Sequence, residues 1–196
     1  MDRKLGAVLG RAFDDCLVTE SIFKLLQIFG NLIQRTLIAH ELNDRMPTLV
    51  TMLDQEMEDA KTIFLKQKQR IKDGKTPIVD RNMPQMSGQL KWSQELRQKM
   101  AFSCKKFKKL SHPVCFNPQA KEMFRKYKEL QKDLDVYDME VYEAWNTTIV
   151  NKVKDGLLKH LITRDPDNGI LRVNFSGDLS SLLREVTTMK KQFQIW

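Results

Sequence analysis

The feature that most limits what this chain can fold into is the stretch from Pro118 to Asp155, which has no glycine and no proline after its first residue. Along it Ala120, Met123, Tyr127, Leu130, Leu134, Tyr137, Val141, Ala144 and Thr148 follow at alternating steps of three and four. That spacing keeps apolar side chains on one face of an α-helix. Asn117-Pro118 opens it with a residue suited to the N-cap and one suited to the first helical position. The reading is a single helix over about 118–162, on the order of 65 Å long at about 1.5 Å per residue. A compact domain of 196 residues has a radius of gyration near ~16 Å, so such a helix must protrude or lie along a rod.

The other segments read in the same way. Val18, Ile22, Leu25, Leu26, Phe29, Leu32, Ile33 and Leu37 form one stripe, which predicts a helix over about 17–42, and Arg11 to Asp15 belongs to a helix before it. Met46, Val50, Leu53, Met57, Ala60, Phe64 and Ile71, with Gln67 interrupting, predict a helix over 45–73 that Asp73-Gly74 ends. Residues 75–88, with Pro77, Pro84 and Gly88, have no helical period. A helix over 88–110 follows on Leu90, Trp92, Leu96, Met100, Cys104 and Phe107, and Ser111-His112-Pro113 stops it.

Asp165-Pro166-Asp167-Asn168-Gly169 is turn chemistry between Ile162-Thr163 and Ile170-Leu171-Arg172-Val173, so a β-hairpin is expected over 162–175. A helix over 177–194 carries Leu179, Leu182, Leu183, Val186, Met189 and Phe193 as its stripe. Only 8 Gly and 6 Pro are too few for a loop-rich or all-β fold. The fold class expected is all-α: an elongated bundle of long antiparallel helices with one small β-hairpin near the C-terminus, residues 1–196 forming a single segment.

Motifs for catalysis fail one by one. Gly74-Lys75-Thr76 ends like a phosphate-binding loop, but Gln69 stands where its first glycine belongs, and a helix precedes it where a strand is needed. His40-Glu41 would need a second histidine at the position of Asp44. His112 and His160 have no cysteine or histidine at ligand spacing. Asp14-Asp15, Glu56 with Asp59, and Asp133 with Asp135 fit solvated helix faces. Cys16 and Cys104 fall on or near apolar stripes and read as packing residues. No catalytic residue, cofactor site or metal site is expected.

The net charge of +8 allows an anionic partner. Its densest patch is Arg97, Lys99, Lys105, Lys106, Lys108 and Lys109, interleaved with Phe102 and Phe107. Lys105, Lys106, Lys108 and Lys109 suit the negative end of a helix and are candidates for a partner-facing basic surface. Three cysteines without CxxC spacing point to reduced thiols. Leu5 to Leu9 is cut off by Arg11 before it could serve as an export signal, and Ile22 to Ile33 is too interrupted to span a membrane.

Against this background the punctuating segments resemble one family. Asn82-Met83-Pro84 followed by Gly88, Leu90, Trp92 and Leu96 is similar to the Asn-Met-Pro-Pro, Gly, Trp signature in the N-terminal tail region of dynein heavy chains. Asp165, Gly169, Leu171, Val173-Asn174-Phe175, then Leu179 and Leu182-Leu183-Arg184-Glu185-Val186, resemble the hairpin and following helix of that region. Ala120-Lys121-Glu122, Phe124, Tyr127, Leu130, Tyr137, Tyr142 and Trp145 fit its long helix, and Cys16 through Phe29 with Arg35 its first. The resemblance runs from about Arg11 to Met189, in the style of ciliary rather than cytoplasmic dynein. Gln85, Ser103 and Ser176 depart from it, which bears on the loop after Pro84 and the course of the helix that follows.

The resemblance implies a non-catalytic piece of an axonemal dynein heavy chain tail, without the ATPase ring or the microtubule-binding stalk. It implies assembly with other heavy chains and with intermediate and light chains, and indirect anchoring to the axonemal microtubule. It places the chain in the cytoplasm and the axoneme of a cilium or flagellum, with no cofactor, small-molecule substrate or membrane. The alternative is a basic helical module for membrane surfaces or nucleic acid.

Overall fold

The computed structural model describes residues 2–110, 112–152, 154–174 and 176–193. The helices are α1 (Asp2–Asp14), α2 (Thr19–Phe29), α3 (Thr36–Asn43), α4 (Met46–Lys72), α5 (Gln85–Lys109), α6 (Pro118–Lys152), α7 (Lys154–Leu157) and α8 (Gly177–Phe193). Short 3-10 turns cover Gly30–Gln34 and Pro113–Phe116. Strands β1 (Ile162–Arg164) and β2 (Leu171–Val173) pair antiparallel, Ile162 opposite Val173. The fold is therefore all-α with one two-stranded hairpin near the C-terminus. The chain packs as two compact units, one of Met1–Lys68 with Leu96–Lys132, the other of Gln69–Glu95 with Asp133–Trp196.

In the first unit the seam of α4 is buried along Met46, Leu49, Val50, Leu53, Met57, Ala60, Phe64 and Gln67. Gln67 belongs to the seam instead of interrupting it, whereas Ile71 is exposed. Met100, Phe107, Ala120, Met123 and Leu130 complete that core from α5 and α6. Polar groups fix the register. The Glu56 carboxylate accepts from Thr19 Oγ1 at 2.5 Å and Ser103 Oγ at 3.1 Å, tying α2 and α5 to α4. Lys126 of α6 reaches Asp54 at 2.9 Å and Glu58 at 2.8 Å on α4. Arg45 donates to both Asp14 oxygens at 3.0 and 3.1 Å and to the Glu41 carbonyl at 3.0 Å. It lies so close to α1 that a Cβ on Gly10 would stand 2.8 Å from its guanidinium carbon.

Several boundaries differ from the periodicity. The stretch expected as one helix over 17–42 is α2, a 3-10 turn and α3. Gly30 takes a positive φ of 47°, closing α2 with its N–H on Leu26 O, and Arg35 is extended. After that break Ile38 and Leu42 are buried and Leu37 is exposed. Helix α5 starts at Gln85, before the expected 88, so residues 85–88 belong to it and not to the connection. The stretch expected to be helical to 162 is helical to Lys152 and over Lys154–Leu157, Val153 being outside the described residues, and Ile162 is already in β1. The α6 seam stays buried to Val141, while Ala144 and Thr148 are exposed. On α8 the expected stripe members Leu179, Leu182, Val186 and Met189 are half-buried, whereas Leu183 is 67% exposed and Glu185 is buried.

His112, before the second 3-10 turn, is held as a neutral ring. Its Nδ1 accepts from the Val114 N–H at 3.2 Å, which leaves Nε2 to donate to Asn43 Oδ1 at 2.6 Å. Burial lowers its pKa below the usual 6.5. The unfolded chain then takes up the proton first, so the contribution of His112 is complete above its unfolded pKa and drains as pH falls through that value towards the folded one. Urea midpoints measured between about pH 7.5 and about pH 5.5 should fall more steeply for the wild type than for His112→Asn. Equal slopes would show that the ring's protonation is not coupled to folding.

Candidate functional site

The side chains capable of chemistry are held in packing roles. Cys104 is buried, which pushes its thiol up to about 11, well away from a reactive thiolate. Cys16 Sγ lies 3.1 Å from Ala12 O, its thiol also raised by burial. Gly74 has a φ of 69° and its N–H bonds Ile71 O at 3.0 Å, so Gly74-Lys75-Thr76 is the end of α4. Among the described residues no group of three His, Cys, Asp or Glu side chains could hold a metal ion, and no helix is long and apolar enough to cross a membrane.

The residues singled out from the sequence fall into separate places. Asp165, Gly169, Val173 and Asn174 build the hairpin. Asp165 Oδ1 accepts from the Asp167 N–H at 3.1 Å, Asn168 Oδ1 from the Ile170 N–H at 3.0 Å, and Gly169 turns the chain at a φ of 70°. Arg172 pairs with the opposite oxygen of Asp165, and Asn174 closes the base through Leu161 O at 2.8 Å and His160 O at 3.1 Å. Phe175 lies outside the described residues. Trp145 meets Tyr142 at a centroid distance of 5.9 Å. Arg184 is exposed on α8.

In the basic patch, Phe107 is fully buried and is no stacking platform. Lys106 Nζ stands 5.5 Å from the centroid of the Phe102 ring, and Lys108 Nζ 4.8 Å from that of Phe124. Lys105 and Lys109 are exposed. Among the described residues none of these four lysines forms an ion pair.

The segment from Asn82 to Leu96 holds the turn and the close packing that start α5. Asn82 takes a φ of 62°, unusual for a residue with a side chain, and folds the chain back so that the Met83 N–H reaches Asp80 O at 3.2 Å. Pro84 then leads into α5 as its carbonyl accepts from the Gly88 N–H at 2.8 Å. Gly88 must be small, because a Cβ there would stand 2.9 Å from Val79 Cβ and 3.2 Å from Met83 Cβ. One turn on, Trp92 packs edge-on to Tyr137 at 5.9 Å, and the Tyr137 hydroxyl donates to Gln89 Oε1 at 3.0 Å. Leu96 is half-buried one further turn along.

The first-turn N–H groups of α5 have no partner within their own helix, and Glu185 of α8 supplies one. Its two oxygens accept from the Met86 N–H at 2.8 Å and the Ser87 N–H at 2.9 Å, and Ser87 Oγ donates to it as well. All three residues are buried. A side chain 98 residues further on thus does the work of a local N-cap. Periodicity could not find this, because a glutamate inside an amphipathic helix reads as a surface charge; Ser87 near a helix start was the sole local hint.

Removing the acceptor strands two buried N–H groups at about 1–3 kcal/mol each. Glu185→Ala should therefore lower unfolding free energy by about 3 kcal/mol in urea titrations, with Glu185→Gln, which keeps one acceptor, losing about half as much. Gly88→Ala should cost about 1–3 kcal/mol by overpacking against Val79. A loss under about 0.5 kcal/mol for Glu185→Ala would contradict the cap.

Residues 1–195 match the family described as dynein heavy chain, N-terminal region 1. The chain is 34% identical over 194 residues, 99% of its length, to dynein axonemal heavy chain 17 of Homo sapiens, and 34% identical over 193 residues, 95% of its length, to the ciliary dynein beta chain of Tripneustes gratilla. It is 29% identical over 189 residues to the beta chain of the flagellar outer arm of Chlamydomonas reinhardtii. In each case it spans 4% of the relative's length. The match takes in all but the last of the 196 residues, and the region matched is the N-terminal one and not the ATPase motor domain. The helices, the hairpin and the buried Glu185 cap are thus those of a chain that belongs to the dynein heavy chain N-terminal region family, with axonemal and ciliary heavy chains as its relatives.

Proposed function

We propose that this chain is a tail segment of an axonemal dynein heavy chain that assembles with other heavy chains and with intermediate and light chains, and so supports anchoring of the motor in the axoneme of a cilium or flagellum. The observation that carries this is the hairpin of the second unit. Ile162, Leu171 and Val173 are 59%, 63% and 68% exposed, so among the described residues no layer of the unit covers the sheet. A lone two-stranded hairpin is marginal in water, and contiguous exposed apolar side chains mark an interaction surface. Leu158, four residues before the hairpin, is 81% exposed as well.

The buried cap at Glu185 and the close fit at Gly88 give this segment the rigidity that a mating surface needs. The family match and the axonemal and ciliary relatives support the cellular setting. The alternative of a nucleic-acid or membrane module has less support, since the Phe107 ring that would stack on bases is buried.

Co-expression of the tagged chain with axonemal dynein intermediate chain and a neighbouring heavy-chain tail provides the test. Retention of either is expected, with a loss of about tenfold or more for Leu171→Asp combined with Val173→Asp, the usual scale for a charge placed in an apolar interface. Because both side chains are exposed, the circular dichroism of the variant should match the wild type. Retention of neither partner by the wild-type chain would overturn the reading.

A further inference from the structure

In the first unit, the C-terminal half of α5 and the opening turns of α6 enclose a shallow, open groove of about 420 Å³, lined by Ala101, Cys104, Lys105, Lys108, Lys109 and Tyr127. Among the described residues no carboxylate lines it. Ala101 is half-buried and Cys104 buried, whereas the three lysines are exposed, so an apolar floor lies beneath a cationic rim. Burial raises the pKa of both Cys104 and Tyr127, which keeps the floor uncharged.

The rim is electrostatically unfinished. Elsewhere the chain neutralises cations that stand at helix contacts: Lys126 meets Asp54 and Glu58, and Lys91 meets Asp80 and Glu95. Lys105, Lys108 and Lys109 form no ion pair among the described residues, although they sit three and four positions apart, where like charges repel. Tyr127 adds a directional donor. Its oxygen accepts from Gln131 Nε2 at 2.7 Å, and its own proton meets no acceptor among the described residues.

We propose that this groove docks an acidic amphipathic segment of a protein partner, whose carboxylates meet Lys105, Lys108, Lys109 and the Tyr127 hydroxyl while one apolar side chain rests on Ala101 and Cys104. The proposal rests on the reading of the chain as an assembly segment and names the partner chemistry for one of its surfaces. Nucleic acid fits less well, because stacking needs several open rings and here Phe107 is buried, Phe124 is half-buried with Lys108 Nζ 4.8 Å from its centroid, and Phe102 alone is exposed. A lipid surface fits less well too, since it takes up apolar side chains that project beyond the charges, and here they are recessed below them.

The experiment is fluorescence anisotropy of the whole 196-residue chain with a fluorescein-labelled peptide of repeated Glu-Glu-Leu-Glu-Ala-Leu. Polyglutamate, single-stranded oligo-dT and phosphatidylserine vesicles serve as competitors. The peptide should bind in a salt-sensitive manner, with affinity falling about tenfold or more in Lys105→Glu combined with Lys109→Glu, and about threefold in Tyr127→Phe. No binding, binding indifferent to the double reversal, or competition by polyglutamate, oligo-dT or vesicles as strong as by unlabelled peptide would each overturn the proposal. As the probe is synthetic, failure here leaves co-purification with dynein subunits intact, and failure there leaves peptide binding to be observed.

Discussion

The second unit depends on one carboxylate. Helix α5 begins directly after Pro84, with buried N–H groups at Met86 and Ser87 that water does not reach. Leaving them unpaired would cost several kcal/mol. Glu185 resolves this from α8, and the helix dipole favours its negative charge at that end of α5 by up to about 2 kcal/mol. The rest of the unit follows from that docking. Ser87 is drawn in, Gly88 must be small to admit Val79 and Met83, and α8 turns until Glu185 points inward and Leu183 outward.

The same bond explains what could and could not be read from the sequence. The seams of α4, α5 and α6 were legible because a helix face is written locally, as steps of three and four. The hairpin was legible because Asp165 to Gly169 carries its own turn chemistry. Three things were not. Gly30 gives no local sign of whether it will sit inside a helix or take the positive φ that ends α2. The start of α5 at Gln85 rests on an acceptor 98 residues beyond Ser87, and no window along the chain spans that distance. On α8 hydrophobicity alone puts Leu183 inside and gives no reason for Glu185 to be buried. A buried carboxylate with three donors outcompetes one leucine for the inward position.

The two surfaces proposed for binding differ in kind. The hairpin offers exposed aliphatic side chains on strands whose outer edges are unpaired within the described residues, and the lysine groove offers charge above a small apolar floor. An apolar surface supplies affinity through buried area, whereas a charged one speeds encounter and selects among partners. Under the proposed assembly role, a segment that covers 4% of its relatives' length gains from both. Rigid presentation in turn needs long helices whose ends are satisfied internally, and the Glu185 cap meets that need for α5.

Amide hydrogen exchange at Met86 and Ser87 tests this account most directly. Both N–H groups should exchange with the slowest class of amides in their unit, opening only with its cooperative unfolding, although the first turn of a helix ordinarily frays. Exchange at these two positions as fast as in the exposed hairpin would show that the Glu185 bond does not hold the start of α5, and would contradict the central claim.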